Sequence, residues 1–358
     1  MAGRLRTKHL KILHANHNID DNSIVLCTNL RELDAHNNSA ITTCRPFAKT
    51  LKILFASGTC GISDDGLLHC TRIRQLYANN NCNITTCKSF AKHLKILDAS
   101  CASGITDDGL ELCGHIRELR ADNNVKITTC EPFASHLKVL RACNICGISD
   151  NGLKSCIRIT QLHANDNEKI TTCEPFARTL QILYAEDACG ISDDGLKSCT
   201  RITTLHVSNN KRITTCVPFA THLKVLDACT SAFDQYIRII RYSDRPVISF
   251  IKREQCGITD DSLKLCTMLE ELHVENNKHV TTCAPFADHL KILSATEQCG
   301  ISDDGLKLCT SIHTLKVGTN TRITTCAPFV HALTSATVDL SNKPLIDELK
   351  LYTHVNVR

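Results

Sequence analysis

The sequence contains no tryptophan, two methionines and only 4% aromatic residues over 358 positions. The large side chains that anchor tight interfaces are scarce, so any affinity must be summed over many modest contacts. Charge of one sign is scarce as well. Lys and Arg number 41 against 37 Asp and Glu, a balance of +4, too mild by itself for a nucleic-acid binder, which needs a strongly basic face. No stretch approaches the ~18 apolar residues of a membrane span. Met1 to Leu10 carries Arg4, Arg6 and Lys8 without the apolar core of a secretion signal. The sequence also lacks a phosphate-binding glycine loop, a nucleophile elbow and an isolated pair of carboxylates. These absences predict a soluble, intracellular and cytoplasmic protein with no cofactor, no small-molecule substrate and no reaction of its own.

What is present is repetition. ITTCEPFASHLKVLRACNICGISDNGLKSCIRITQLHANDN is followed by ITTCEPFARTLQILYAEDACGISDDGLKSCTRITTLHVSNN, a period of 43 residues. Leu33, Leu76, Leu119, Leu162 and Leu205 keep that spacing, and Leu54, Leu97, Leu140, Leu183 and Leu226 form a second series between them. Each period is therefore two coils of 21 and 22 residues, with LxxLxA or LxxLxV recurring from Leu10 to Ile312. The second Leu and the Ala or Val two residues later alternate inward on a short strand, and the residues between them point outward. One coil gains about 10 kcal/mol by burying its apolar side chains while ordering it costs about 30, so coils must stack to fold. Asn stands five residues after the second Leu in eight coils, from Asn18 and Asn38 to Asn277 and Asn320. There its amide satisfies the backbone where the chain turns off the sheet. Cys60, Cys146, Cys189 and Cys299 stand one residue later in other coils. On the far side, GISDDGLKSC and ITTCEPFA place Ser or Thr before a short apolar run, predicting brief helical turns, with Pro46 and its equivalents near their start.

These residues resemble the leucine-rich-repeat superfamily over about Leu10 to Val338, and ITDDGLELCGHIRELRADNN resembles its cysteine-containing subtype. The resemblance implies an α/β solenoid, a curved horseshoe with a parallel β-sheet on its concave face and short helices or 3₁₀ turns on its convex face. In that subtype, repeats often serve as substrate-recognition arms of ubiquitin ligases joined to an F-box. Here the repeats begin within ten residues of Met1, so the alternative to a general scaffold is a recognition subunit lacking its own F-box. The alternating coils are also similar to the cytosolic ribonuclease inhibitor family, though its Trp-rich acidic contact face is missing and its target does not carry over. The near-identical copies resemble repetitive leucine-rich-repeat proteins of amoebae and giant viruses, which implies no role for any residue. Residues 1–338 are expected to form one solenoid of about 14–15 coils, with an insertion or degenerate coil at 230–255 and a cap or tail at 339–358.

The 23 cysteines and 17 histidines raise metal and redox chemistry, which the spacing argues against. Cys44 and its equivalents recur every second coil, about 10 Å apart at ~4.8 Å per strand and beyond disulfide reach. Cys44 lies seven residues before Leu51 whereas Cys70 lies three before Ile73, so neighbouring coils are expected not to stack these sulfurs directly. Buried, reduced thiols acting as small apolar fillers are expected. The single CxxC, Cys143 to Cys146, lacks a second pair at zinc-finger spacing, and Cys143 falls at an outward strand position. No metal is predicted.

Because the coils are near copies, columns that vary stand out. The outward residue between the inward pair reads Phe55, Tyr77, Asp98, Arg120, Arg141, His163, Tyr184 and His206 through the middle of the array. Aromatic and Arg side chains there point to a partner protein on the concave face. A flanking column adds Ile53, Ile96, Val139, Ile182 and Val225 on alternate coils. A third column is basic: Lys11, Arg31, Lys52, Arg74, Lys95, Arg117 and Lys138 occupy seven consecutive coils before the run ends at Thr160 and Gln181. This rim is either solvated and balanced by nearby acids or a dock for an acidic or phosphate-bearing partner.

Overall fold

The computed structural model describes residues 8–15, 18–231, 235–242, 245–252 and 255–358; for 235–242 and 245–252 it describes the backbone alone. The chain clusters into two compact units, one running to His163 with Ile239–Ser249, the other formed by Ala164–Arg238 and Phe250–Arg358. Both are built from the same coil. In the first, parallel three-residue strands run from Ile12–His14 and Glu32–Asp34 through Ile53–Phe55, Gln75–Tyr77, Ile96–Asp98, Glu118–Arg120 and Val139–Arg141 to Gln161–His163. Register is constant, with Leu33 opposite Leu54, Leu54 opposite Leu76, and so on to Leu162. In the second, Ile182–Tyr184, Thr204–His206 and Val225–Asp227 continue in parallel. Val225–Asp227 then pairs directly with Glu271–His273, so the 43-residue phase closes over the interruption. Gln235–Tyr242 and Arg245–Lys252 make a separate two-stranded sheet. Of the segment 230–255, expected to be an insertion or degenerate coil, the side chains of 232–254 lie outside the described residues.

The strands are short because the chain turns sharply behind them. After Asp34 and buried Ala35, Asn37 takes a positive φ of 56°, and the same left-handed position recurs at Asn80, Asn123 and Asn209. Asn tolerates this conformation better than most residues. The next residue is the buried Asn of the repeat. Asn38 Oδ1 accepts from the Ala40 and Ile41 amides at 2.9 and 3.0 Å, while its Nδ2 donates to Ile19 O at 2.9 Å. Cysteine fills this post in alternate coils. Cys256 Sγ donates to Val207 O at 3.5 Å and accepts from the Ile258 amide; Cys60, Cys189 and Cys299 accept equivalently from Ile62, Ile191 and Ile301. These thiols are thus hydrogen-bonding elements of the turn as well as apolar fillers. Burial pushes them up to about 11 to 12, so they stay protonated.

Behind the sheet, four-residue α-helices such as Asp64–Leu67 alternate with three-residue 3₁₀ helices such as Arg45–Phe47. Proline stands in the first turn of most of the 3₁₀ helices, and each covers a fully buried Phe, from Phe47 to Phe329. The predicted caps act unevenly. Thr43 Oγ1 accepts from the Arg45 amide at 3.1 Å, but Ser63 makes no side-chain cap. Asp64, just after it, instead brackets the next coil, accepting from Thr85 N, Thr85 Oγ1 and Thr86 N at 2.9, 2.5 and 3.2 Å. Asp21, Asp107, Asp193, Asp260 and Asp303 repeat this bracket. It holds each helix so close to its neighbour that a Cβ at Gly109 would fall 2.2 Å from Thr85 O.

The sulfur geometry corrects one expectation. Cysteines of neighbouring coils do come together: Cys44 and Cys70, Cys87 and Cys113, Cys130 and Cys156, Cys216 and Cys266, and Cys283 and Cys309 lie close enough to shift each other's ionisation. The reason is the alternation of helix types. Cys44 precedes a 3₁₀ helix and Cys70 follows an α-helix, so unequal counts along the chain end at the same place around the coil. None of the cysteines is in a disulfide, and all but Cys82, Cys101 and Cys229 are buried. At the C-terminal end, Lys343–Leu349 is a helix and Asn356–Val357 pairs with Ser335–Val338. Asn342 Nδ2 donates to Ile323 O at 2.8 Å and Glu348 accepts from Thr325 Oγ1 and Cys326 N, reproducing the Asn and Asp roles of earlier coils. Among the described residues no helix is long and apolar enough to cross a membrane.

Candidate functional site

From Glu32–Asp34 to Glu271–His273, each three-residue strand of the repeat offers two outward, half-buried side chains flanking a buried Leu. The first alternates between Ile or Val and Gln, Glu or Thr, and the second is the variable column. On several strands with a polar first residue, the two outward side chains engage each other. Glu118 Oε1 accepts from Arg120 Nε and Nη2 at 3.0 and 2.8 Å, Gln161 and His163 lie 2.7 Å apart, and His273 Nε2 is 2.7 Å from Glu271. Across strands, Phe55 stacks on Tyr77 at 4.5 Å and 6°, and Tyr184 on His206 at 4.1 Å and 7°. Arg141 Nε donates to Asp122 at 2.9 Å. All eight residues of the predicted column are half-buried, and these partners hold most of them in place, presenting two flat aromatic stacks and two salt-bridged guanidinium groups.

The basic column is equally regular. Its backbones form consecutive rungs: Arg31 N donates to Lys11 O, Lys52 N to Arg31 O, Arg74 N to Lys52 O, Lys95 N to Arg74 O, Arg117 N to Lys95 O and Lys138 N to Arg117 O, at 2.7 to 2.8 Å. All seven side chains are exposed except the half-buried Lys52. Arg74, Lys95, Arg117 and Lys138 line a groove of about 390 Å³ together with Gln75, Ile96, Glu118 and Val139.

A cluster that no single column reveals lies in the second unit. Glu186, His206 and Asp227 bring their donor atoms within 4.8 Å of one another, and all three are half-buried. His206 Nδ1 is 3.5 Å from Asp227 Oδ2, Ser208 Oγ donates to Asp227 Oδ1 at 2.5 Å, and Asn165 Nδ2 donates to Glu186 Oε2 at 2.7 Å. Burial and the Asp227 charge push Glu186 up to about 7. Asp227 goes the other way: burial works against its charge, but the His206 and Ser208 bonds more than offset it and hold the carboxyl well below its usual range. One nitrogen and two carboxylates are a donor set suited to a divalent cation, although each is already engaged by protein groups. The sequence hid the cluster because Glu186 lies two residues beyond its strand. Cys143 is a second departure. Expected to point outward, it is buried, because strand alternation ends where Asn144 turns the chain with φ 63°.

No protein-family model matches the sequence, and no curated protein matches it. Among solved structures 55 chains match. One is the functional domain of InlJ from Listeria monocytogenes, described as including a cysteine ladder, at 14% identity and a TM-score of 0.48. The alignment covers 87% of this chain and 65% of that chain, so this chain spans less than two thirds of its length. That distance leaves the assignment to the coil itself: a parallel strand centred on Leu, a buried Asn at the turn and a short helix behind, repeated in constant register. The chain is a leucine-rich-repeat solenoid. Cysteine recurs at fixed, buried positions of its coils.

Proposed function

We propose that this leucine-rich-repeat solenoid is a non-catalytic scaffold that binds a partner protein on the outward face of its strands, inside the cell. The observation that carries the reading is contrast. The Leu of each strand and, in alternate coils, the turn Asn and the helix Asp recur almost unchanged, while the outward column runs through aromatic, acidic, basic and imidazole side chains. Its stacked pairs, Phe55 on Tyr77 and Tyr184 on His206, offer rigid aromatic surface at little conformational cost. Protonated, buried thiols favour a reducing compartment.

The test is affinity capture under reducing conditions with wild type and a Tyr77, Arg120, His163 and Tyr184 to Ala variant whose fold is checked by circular dichroism. A protein retained by wild type and lost by the variant places recognition on the strand face. Retention by both moves it elsewhere on the molecule. Stable co-purification of ubiquitin-ligase machinery favours the recognition-subunit alternative instead.

A further inference from the structure

The cation ladder of the first unit has a counterpart that shows what it lacks. In the second unit, the same rung positions are occupied by Lys224, Glu270 and Lys291, with Glu270 N donating to Lys224 O and Lys291 N to Glu270 O. There the acid bridges both cations, Lys224 Nζ at 2.9 Å and Lys291 Nζ at 2.7 Å, and the two lysines hold its carboxyl down to about 2. One glutamate on a rung is enough to neutralise its neighbours. In the first unit seven consecutive rungs carry Lys or Arg and no Glu or Asp. Among the described residues none of the seven cations appears in an ion pair.

We infer that the first unit docks an acidic, partly apolar polypeptide segment along the Lys11 to Lys138 ladder; this rests on the protein-binding reading above and specifies the partner's chemistry. Like charges one strand apart repel, and the chain leaves that repulsion in place over six successive steps. A segment rich in Asp and Glu supplies the carboxylates that Glu270 supplies elsewhere. The groove favours a polypeptide over a nucleic acid. Ile96 and Val139 give it apolar lining, and no aromatic side chain lines it for base stacking. Six steps of ~4.8 Å between the seven rungs span about 29 Å, the length of roughly nine extended residues.

The probe is a fluorescein-labelled peptide of about nine residues, Glu- and Asp-rich with spaced leucines. It is compared by anisotropy with its Gln and Asn counterpart and with an oligo-dT of similar length. Wild type should bind the acidic peptide at least about tenfold more tightly than the neutral one, and raising salt should weaken binding. Lys95→Glu with Arg117→Glu should lose about tenfold or more, whereas Arg117→Lys should stay near wild type. Should the reversal variant melt early, Lys95→Gln with Arg117→Gln makes the same comparison. Equal affinity for the neutral peptide, an unchanged reversal variant or tighter binding of oligo-dT overturns the inference. Failure of the broader reading looks different: the Tyr77, Arg120, His163 and Tyr184 variant would then keep its captured protein whatever the peptide does.

Discussion

Asn124→Ala isolates the contribution of one turn. Asn124 is 1% exposed, its Nδ2 donates to Ala99 O at 2.7 Å and to Ile105 O at 3.4 Å, and its Oδ1 accepts from Lys126 N at 2.9 Å. Alanine removes all three bonds, and Ala99 and Ile105 are both fully buried, so their carbonyls have no ready access to water. Two full-strength bonds and one long one, at ~1–3 kcal/mol for each buried group left unmet, predict a loss of about 3–5 kcal/mol. Asn124→Asp keeps the acceptor but sets a carboxylate against two carbonyls. It should cost more at neutral pH and recover part of the loss in acid, where the protonated oxygen donates. Exposed Asn83→Ala is the control, expected within about 0.5 kcal/mol of wild type. Urea unfolding followed by circular dichroism measures the loss. Hydrogen exchange locates it in the first unit, because a repeat array need not unfold in one step. If Asn124→Ala costs less than about 1 kcal/mol, or no more than Asn83→Ala, the buried Asn is not what holds the turn.

Glu186 should make stability fall as pH rises. Its carboxyl is raised from 4.5 to about 7 by burial and by Asp227, so its stabilising contribution is complete below 4.5 and lost as pH climbs through 7. Glu186→Gln keeps an acceptor for Asn165 and should equal wild type in acid but melt higher at pH 8; parallel melting curves across that range count against it. Gly109→Ala, whose Cβ would meet Thr85 O at 2.2 Å, should cost about 2–3 kcal/mol in urea unfolding. Gly114→Ala, with 3.7 Å of clearance, should be tolerated. Thiol titration of the native protein should label exposed Cys82 and Cys101 promptly and all 23 cysteines only after unfolding. Prompt labelling of Cys44 or Cys70 would show that the sulfur pairs are open to solvent.

Period and composition sufficed for the coil because every copy votes on the same positions. Leu at the strand centre, Asn at the turn and Pro under the 3₁₀ helix each recur where the backbone demands them, so a single sequence acts as its own alignment. The basic column was legible for the same reason. What escaped were relations between side chains that sit at unequal counts along the chain yet at one place in space. Cys44 and Cys70 look out of phase by four residues until the α-helix between Asp64 and Leu67 shortens the path. Glu186 joins His206 and Asp227 from beyond the strand end, where alternation no longer predicts direction. The Asp of each DDGL run appears in the sequence as part of a turn, but its carboxylate serves the following coil, because a helix of four residues leaves that oxygen facing its neighbour's Thr amides. Repetition therefore reveals a column without revealing its neighbours. The inferred docking of an acidic segment turns on such a neighbour: Lys224, Glu270 and Lys291 occupy the same kind of rung as Lys95, Arg117 and Lys138, and it is the glutamate on the middle rung that bridges both lysines of the former column.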